Sequence, residues 1–473
     1  MINTHFVFKA MQKVLLAVTL LSVINQCAEE NITPNTAATQ QTIVADSTDS
    51  QLRTSASSDC NCDYVVPADS TVVDGKVLAL KPGSVVCLNS AFHYGTLEFH
   101  NLEGTEADPI IIRNCGGPVT IKATDKWHAL KTINSKYFRI TGGDASGVYG
   151  IRIQGGEMGM KLDGLSTNFE VDHVEVSNVS FAGIMAKTDP GCDDATIRGN
   201  FTMYDVRLHD NYVHDTGGEG FYIGNSFFDG MQRECGLRLP HLIKGLKVYN
   251  NVIRNSGWES IQVGCAIEGT EIYNNTIENY GAANIEYQDN GIQIGSGTGG
   301  AVYNNFIKKG NGNGLIVMGT GDNVIYNNII VDAGLNGIFC DERYTPGEGF
   351  TFINNTIISP KMYGIRLYSE KVPMNTVINN IISNPGALAS RDSANAFVAR
   401  MNDKVHVEMA NNLFVNNLDT LQFMNPAADN YRLKAASPAV NLGKDISSFR
   451  IDFDFYENRR LRGVAYDIGA SEF

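Results

Sequence analysis

The stretch "VYNNVIRNSGWESIQVG", residues 248–264, sets two short apolar runs around an Asn pair and a Gly. The pair returns as "IYNNTI" (Asn274, Asn275), "VYNNFI" (Asn304, Asn305), "IYNNII" (Asn327, Asn328), "FINNTI" (Asn354, Asn355), "VINNII" (Asn379, Asn380) and "MANNLF" (Asn411, Asn412). Counted on the second Asn from Asn251, the steps are 24, 30, 23, 27, 25 and 32 residues. A second mark falls between the pairs: "AGIMA" (182–186), "EGFYI" (219–223), "ESIQV" (259–263), "NGIQI" (290–294), "NGLIV" (313–317), "NGIFC" (336–340) and "YGIRL" (363–367). Its third and fifth residues are apolar and its fourth varies, which is the period of a strand buried on one face.

Each unit thus holds at least two short strands and Gly/Asn corners, with no run of helical period. Units of this length cannot bury their own apolar face and must stack on neighbours. Helical repeats lack the required pattern here, and propeller blades need four strands in about 40–45 residues. The pattern predicts an all-β fold, a single right-handed parallel β-helix with coils about 4.8 Å apart. The paired asparagines are then a ladder at one corner, bonding backbone and one another, at a site whose left-handed turn Asn tolerates.

The chain has 473 residues and a net charge of −14, from 37 Lys+Arg against 51 Asp+Glu. That balance excludes nucleic acid as a partner, since affinity there comes from cations on phosphates. The apolar run "VLLAVTLLSVI" (14–24), preceded by Lys9 and Lys13, is too short to span a bilayer and suits a signal peptide. With Cys27 and the following "AEEN" it resembles a bacterial lipoprotein signal with a Bacteroidota-type surface-export motif. That resemblance implies lipidation at Cys27, a membrane held by the lipid anchor only, and an outer-membrane or cell-surface location; an ordinary cleaved peptide would mean secretion.

Residues 28–58 read as a disordered tether. Residues 59–125 read as a disulfide-linked cap with entry coils, 126–420 as the β-helix, and 421–473 as a closing segment. Setting Cys27 aside leaves eight cysteines. Cys60, Cys62, Cys87 and Cys115 are expected to staple the cap, and Cys192 and Cys235 to close an insertion. Cys340, at an inward position, is expected to be a buried thiol.

"EADPIIIRNCGGPVTI" (106–121) resembles the entry coils of secreted right-handed β-helix proteins of the polysaccharide-lyase-like superfamily. "NYRLKAASPAVNLG" (430–443) with "DFDFYENRRLRGVAYDIGASEF" (452–473) resembles their closing segment. The architecture carries lyases, glycoside hydrolases, epimerases and adhesins, so the resemblance leaves the activity open. "PHL" (240–242) resembles the "DPH" of alginate epimerases, but Leu239 stands where their aspartate would be. The Lys-containing motif of the chondroitinase B and alginate-lyase group and the paired aspartates of polygalacturonases do not occur.

Stacking the strand marks sets Ala182, Glu219, Glu259, Asn290, Asn313, Asn336 and Tyr363 in one column, with Asp289 one place earlier in its coil. Glu219, Glu259 and Asp289 would then share a corner, where repulsion demands a cation or a shared proton. Calcium, a catalytic carboxylate pair and plain turn residues are the open readings. The outward column beside them holds Tyr222, Gln262 and Gln293, an aromatic plane and amides suited to a sugar. Gly224, Gly264 and Gly295 follow, either clearing space for a ligand or serving the turn. The insertion 227–245 is expected to overhang this face with His241 and Arg238 as its polar candidates, His241 catalytic or loop-anchoring. The resulting expectation is a monomeric surface protein acting on an extracellular polysaccharide, a lyase more than a hydrolase; the alternative is a non-catalytic glycan-binding or adhesin-like lipoprotein.

Overall fold

The computed structural model describes residues 60–143 and 149–473. The signal peptide, Cys27 and the 28–58 tether lie outside them. Three long parallel sheets of 13, 12 and 12 strands run the length of the chain. One coil shows the plan. Lys247–Tyr249 belongs to the first sheet, Val252–Ser256 to the second and Ile261–Val263 to the third, and each pairs in parallel with its counterpart one coil on. This is the right-handed parallel β-helix that the repeat predicts.

The sequence period becomes packing through register. Ile253 lies opposite Ile277, Ile277 opposite Ile307, and Ile307 opposite Ile330, all 0 % exposed. Each such aliphatic side chain contributes about 1.5–3 kcal/mol on full burial. On the outer face of the first sheet Tyr249, Tyr273, Tyr303 and Tyr326 stack with ring centroids 4.7–4.9 Å apart.

The asparagine corner divides two tasks between the members of each pair. The first, from Asn250 to Asn411, takes the left-handed backbone at φ 50–56°. The second forms the ladder: Asn275 Nδ2 donates to Asn305 Oδ1 (2.9 Å) and to the Val248 carbonyl (2.9 Å), and its backbone N–H donates to Asn305 Oδ1 (3.1 Å). The same bonds run from Asn211 to Asn412.

Coils begin earlier than the sequence boundary, since Tyr64–Val65, Val72–Asp74 and His93–Tyr94 already head the three sheets. Cys60–Cys115 and Cys62–Cys87 staple this end. Cys340 is buried and unpaired as expected, and so is Cys265.

The C-terminal segment does not continue the coils. It lies across the sides of the last ones, with Leu421, Phe423, Tyr431 and Leu433 packed on Ile329, Ile358 and Ile381 of the second sheet. Ile446, Ile451 and Tyr466 cover Ile353 and Ile378 of the first. The outward amides of the lower corners hold it in place. Asn327 donates to the Phe453 carbonyl, Asn354 to Asp467 and Gly469, Asn379 to Lys444, and Asn411 to Leu442, at 2.8–3.0 Å.

Candidate functional site

The column at the head of the third sheet is a second ladder. Asn336 Nδ2 donates to Asn313 Oδ1 (2.7 Å), Asn313 to Asn290 (2.8 Å), and Asn290 to Glu259 Oε1 (3.1 Å). Glu219 follows one coil above. The reading of these glutamates as solvated turn residues is overturned, because Glu219 is 2 % exposed and Glu259 0 %. Each has an Oε2 with no hydrogen-bond partner among the described residues. Burial raises the Glu219 carboxyl to about 7, and burial with the neighbouring Glu219 charge raises Glu259 to about 8. Values in that range let the pair share a proton near neutral pH.

Asp289 does not join the column. Asn290 fills the next place, and Asp289 lies against Gly281 and Gly312 in the turn before it, its carboxyl raised by burial. Calcium takes six to eight oxygen ligands. Glu219, Glu259 and Asp289 do not bring donor atoms within 4.8 Å of one another, so they do not fit it. Glu170, Asp172 and His209 on the first sheet do bring donor atoms within 4.8 Å of one another. There Arg139 Nε already sits 2.7 Å from Asp172 and 3.0 Å from Glu170, so the network carries its own cation.

Beside the glutamates the outward column forms a polar row. The Tyr222 hydroxyl lies 3.1 Å from Ser226 Oγ, Gln262 Nε2 donates to that same oxygen (2.7 Å), and Gln293 Nε2 donates to Gln262 Oε1 (3.0 Å). Gln262 and Gln293 are 4 % and 9 % exposed and make a floor, while Tyr287 on the adjoining turn is 65 % exposed. Lys187, two residues beyond the Met185 that precedes Tyr222 in this column, lies 4.0 Å from the centre of the Tyr222 ring and 3.0 Å from Asp189 Oδ1. Burial opposes its charge, but Asp189 and Tyr222 outweigh that and hold the ammonium above its ordinary range. By register the same column carries Lys131 and Lys161 above Met185, and Arg366 below Phe339. Arg366 is gripped by the rings of Phe339, Tyr363 and Tyr368. Its outward position on "YGIRL" was the signal for it.

The insertion meets this row only through its base, where Ser226 sits. Its tip is a hairpin, Met231–Arg233 with Gly236–Arg238, tied to the segment before residue 200 by Cys192–Cys235. Arg238 is used up there, donating to the Gly191 carbonyl (2.9 Å) and pairing with Asp194. His241 is 1 % exposed, accepts the Thr188 N–H at Nε2 (3.1 Å) and approaches the Leu242 carbonyl with Nδ1 (3.0 Å). Burial lowers its pKa, so it is a neutral ring with both nitrogens committed to backbone. The hairpin therefore leans on the neighbouring segment, not over the row. The glycines serve the turn: a Cβ on Gly224 would strike the Gly264 carbonyl, and one on Gly264 that of Asn225.

Two shallow cavities lie elsewhere, at the N-terminal coils, beside the Lys136–Glu103 ion pair.

Residues 243–417 match the family model described as a right handed beta helix region. No curated protein matches the chain. Among solved structures, pectate lyase Pel9A is 13% identical, with 88% of this chain and 97% of that one covered at a TM-score of 0.46. An alginate lyase from Paenibacillus sp. str. FPU-7 is 16% identical (75% and 99% covered, TM-score 0.37). A GH136 lacto-N-biosidase from Eubacterium ramulus is 13% identical (72% and 63% covered, TM-score 0.44). No activity transfers to this chain at that similarity. By its register, its ladder and its matched repeat region, the chain is a right-handed parallel β-helix protein.

Proposed function

We propose that the chain recognises an extracellular polysaccharide along the outer face of the third sheet, held at the cell surface through Cys27. The observation that carries this reading is the row from Tyr222 through Ser226 and Gln262 to Gln293, continuous over three coils. Lys131 and Lys161 lie above it and Arg366 below it. An aromatic ring and amides one coil apart, with cations two coils above and three coils below, suit a chain of acidic sugars lying along the helix axis. Amides orient hydroxyls, and fixed cations attract carboxylates.

A catalytic reading, that of a polysaccharide lyase, is favoured by a separate observation. Glu219 and Glu259 have pKa values near neutrality beside this row, as a group that gives or takes a proton requires. Both are buried, so a local opening has to precede any contact between either carboxyl and a sugar.

Retention on immobilised uronic-acid polymers tests recognition. Tyr222→Ala and Gln262→Ala should each weaken retention about tenfold or more, the cost of losing a hydrogen-bonded contact at a binding face. A wild-type protein retained by no acidic, neutral or sulfated glycan ends the proposal. Ultraviolet absorbance from unsaturated sugar ends, lost in Glu259→Gln, would establish the lyase; its absence in a protein that still binds leaves the binding module. Loss of membrane fractionation in Cys27→Ala checks the anchor.

A further inference from the structure

The last coil leaves the core open. Its inward positions continue the core columns, with Val398 opposite Ile365, Met409 opposite Val377 and Phe414 opposite Ile382. The three residues above are each 0 % exposed, whereas Met409 is 52 % and Phe414 37 % exposed. Phe397 stacks on Phe414 at 4.9 Å without closing the end. Val398–Arg400, Val407–Ala410 and Leu413–Val415 are the terminal strands of the three sheets, so each presents a row of backbone groups with no partner strand. The C-terminal segment covers the flanks of these coils, packing on Ile329, Ile353 and Ile378. The other end of the helix is built differently. There Val66, Val73 and Tyr94 are 0 %, 1 % and 2 % exposed, and two disulfides tie residues 60–63 to the first sheet.

We infer that two copies of this chain join end to end at the last coil, about a twofold axis perpendicular to the helix axis. Rotation about that axis reverses strand direction, so the terminal strands of the two copies meet antiparallel and complete each other's ladders. Met409 and Phe414 of each copy then fill the open end of the other core. Even the shortest coil, of 23 residues, at about 3.3 Å per residue encloses roughly 500 Å², so the two ends together bury about 1,000 Å² before outward side chains are counted, the lower bound for a specific interface.

Charge is compatible with self-association. Arg400 and Asp403 stand 3.8 Å apart on the rim with side chains 45% and 105% exposed. One rim therefore carries both signs, and a twofold can set Arg400 against the partner's Asp403. At the other end Val66, Val73 and Tyr94 are already covered, so association stops at two copies instead of growing into a fibre. The proposed dimer differs from the monomer expected from sequence.

Sedimentation velocity of the purified chain, from submicromolar to high micromolar concentration, tests this. The wild type should pass from monomer to dimer with no larger species. Phe414→Glu and Met409→Lys, folded by circular dichroism, should each raise the dimer dissociation constant at least about tenfold, as charges do at the centre of an apolar interface. Asp403→Arg should weaken the dimer, and Arg400→Asp combined with it should restore the dimer; this pair keeps the test valid if the core variants misfold. A wild type monomeric throughout overturns the inference, whether the end is bare or holds a co-purifying glycan or foreign protein. A dimer unchanged by all of these substitutions overturns it as well.

Discussion

Glu259 occupies a place that asparagine fills on the next three coils, with Asn290 donating to it at 3.1 Å. Its carboxyl lies at 4.5 in the unfolded chain and about 8 in the folded one. Between those values the folded state holds a proton that the unfolded state has released, so stability falls as pH rises from about 4.5 through about 8, then stays low. Glu219, raised to about 7, adds to the same fall. Glu259→Gln keeps the shape and removes the titration. Its melting temperature should lose most of the decline between pH 5 and pH 9 that the wild type shows, a window set by these shifts. Melting curves across that range check it, and a wild type equally stable at both ends would show that the carboxyl is solvated. The register of this column was legible, because the marks "EGFYI" and "ESIQV" align by period alone. Its burial was not legible, because Phe181 and Trp258, which line that edge, belong to turns that carry no period.

Among the elements, the asparagine corner permits a matched pair of substitutions. Asn305 is fully buried, donates to the Ile272 carbonyl (2.9 Å) and to Asn328 (3.0 Å), and accepts from Asn275 (2.9 Å). Asn305→Ala removes those bonds and strands buried partners, each costing about 1–3 kcal/mol, so a loss of at least about 3 kcal/mol is expected in urea unfolding. Asn304 sits beside it at φ 54°. Asn304→Gly should change stability by less than about 1 kcal/mol, since glycine adopts that backbone freely. Equal effects at the two positions would mean that the division of labour within the pair is mistaken. Spacing made the ladder legible, and the chemistry of Asn made both tasks legible together; which member did which needed the backbone angles. The insertion was less legible. His241 and Arg238 looked free in a loop, but the disulfide from Cys192 to Cys235 brings up a second segment whose backbone consumes them.

At the scale of the whole molecule, the solenoid is held from outside as well as within. The closing segment was recognisable in the sequence by its resemblance, but its course was not, because a segment that wraps the flanks has no repeat to follow. Deleting residues 418–473 would bare Ile329, Ile358 and Ile381 on one face and Ile353 and Ile378 on another, together with the amides of four corners. Each bared aliphatic forfeits about 1.5–3 kcal/mol. Hydrogen exchange on the truncated chain should show the coils from Val324 onward losing protection, while those before Tyr249 keep theirs, as expected where each coil touches only its neighbours. Uniform loss along the helix would instead make the chain a single cooperative unit.

The amides that grip the closing segment also impose an order in time. A ribosome makes the coils first and the closing segment after them. During synthesis the lower corners can wind, yet Asn327, Asn354, Asn379 and Asn411 have nothing to hold until the final stretch emerges. A chain cut short by a premature stop or a protease therefore advertises its own incompleteness as a strip of bare isoleucines and idle amides, legible to any quality-control protease. The latch doubles as a receipt that synthesis has passed through the closing segment.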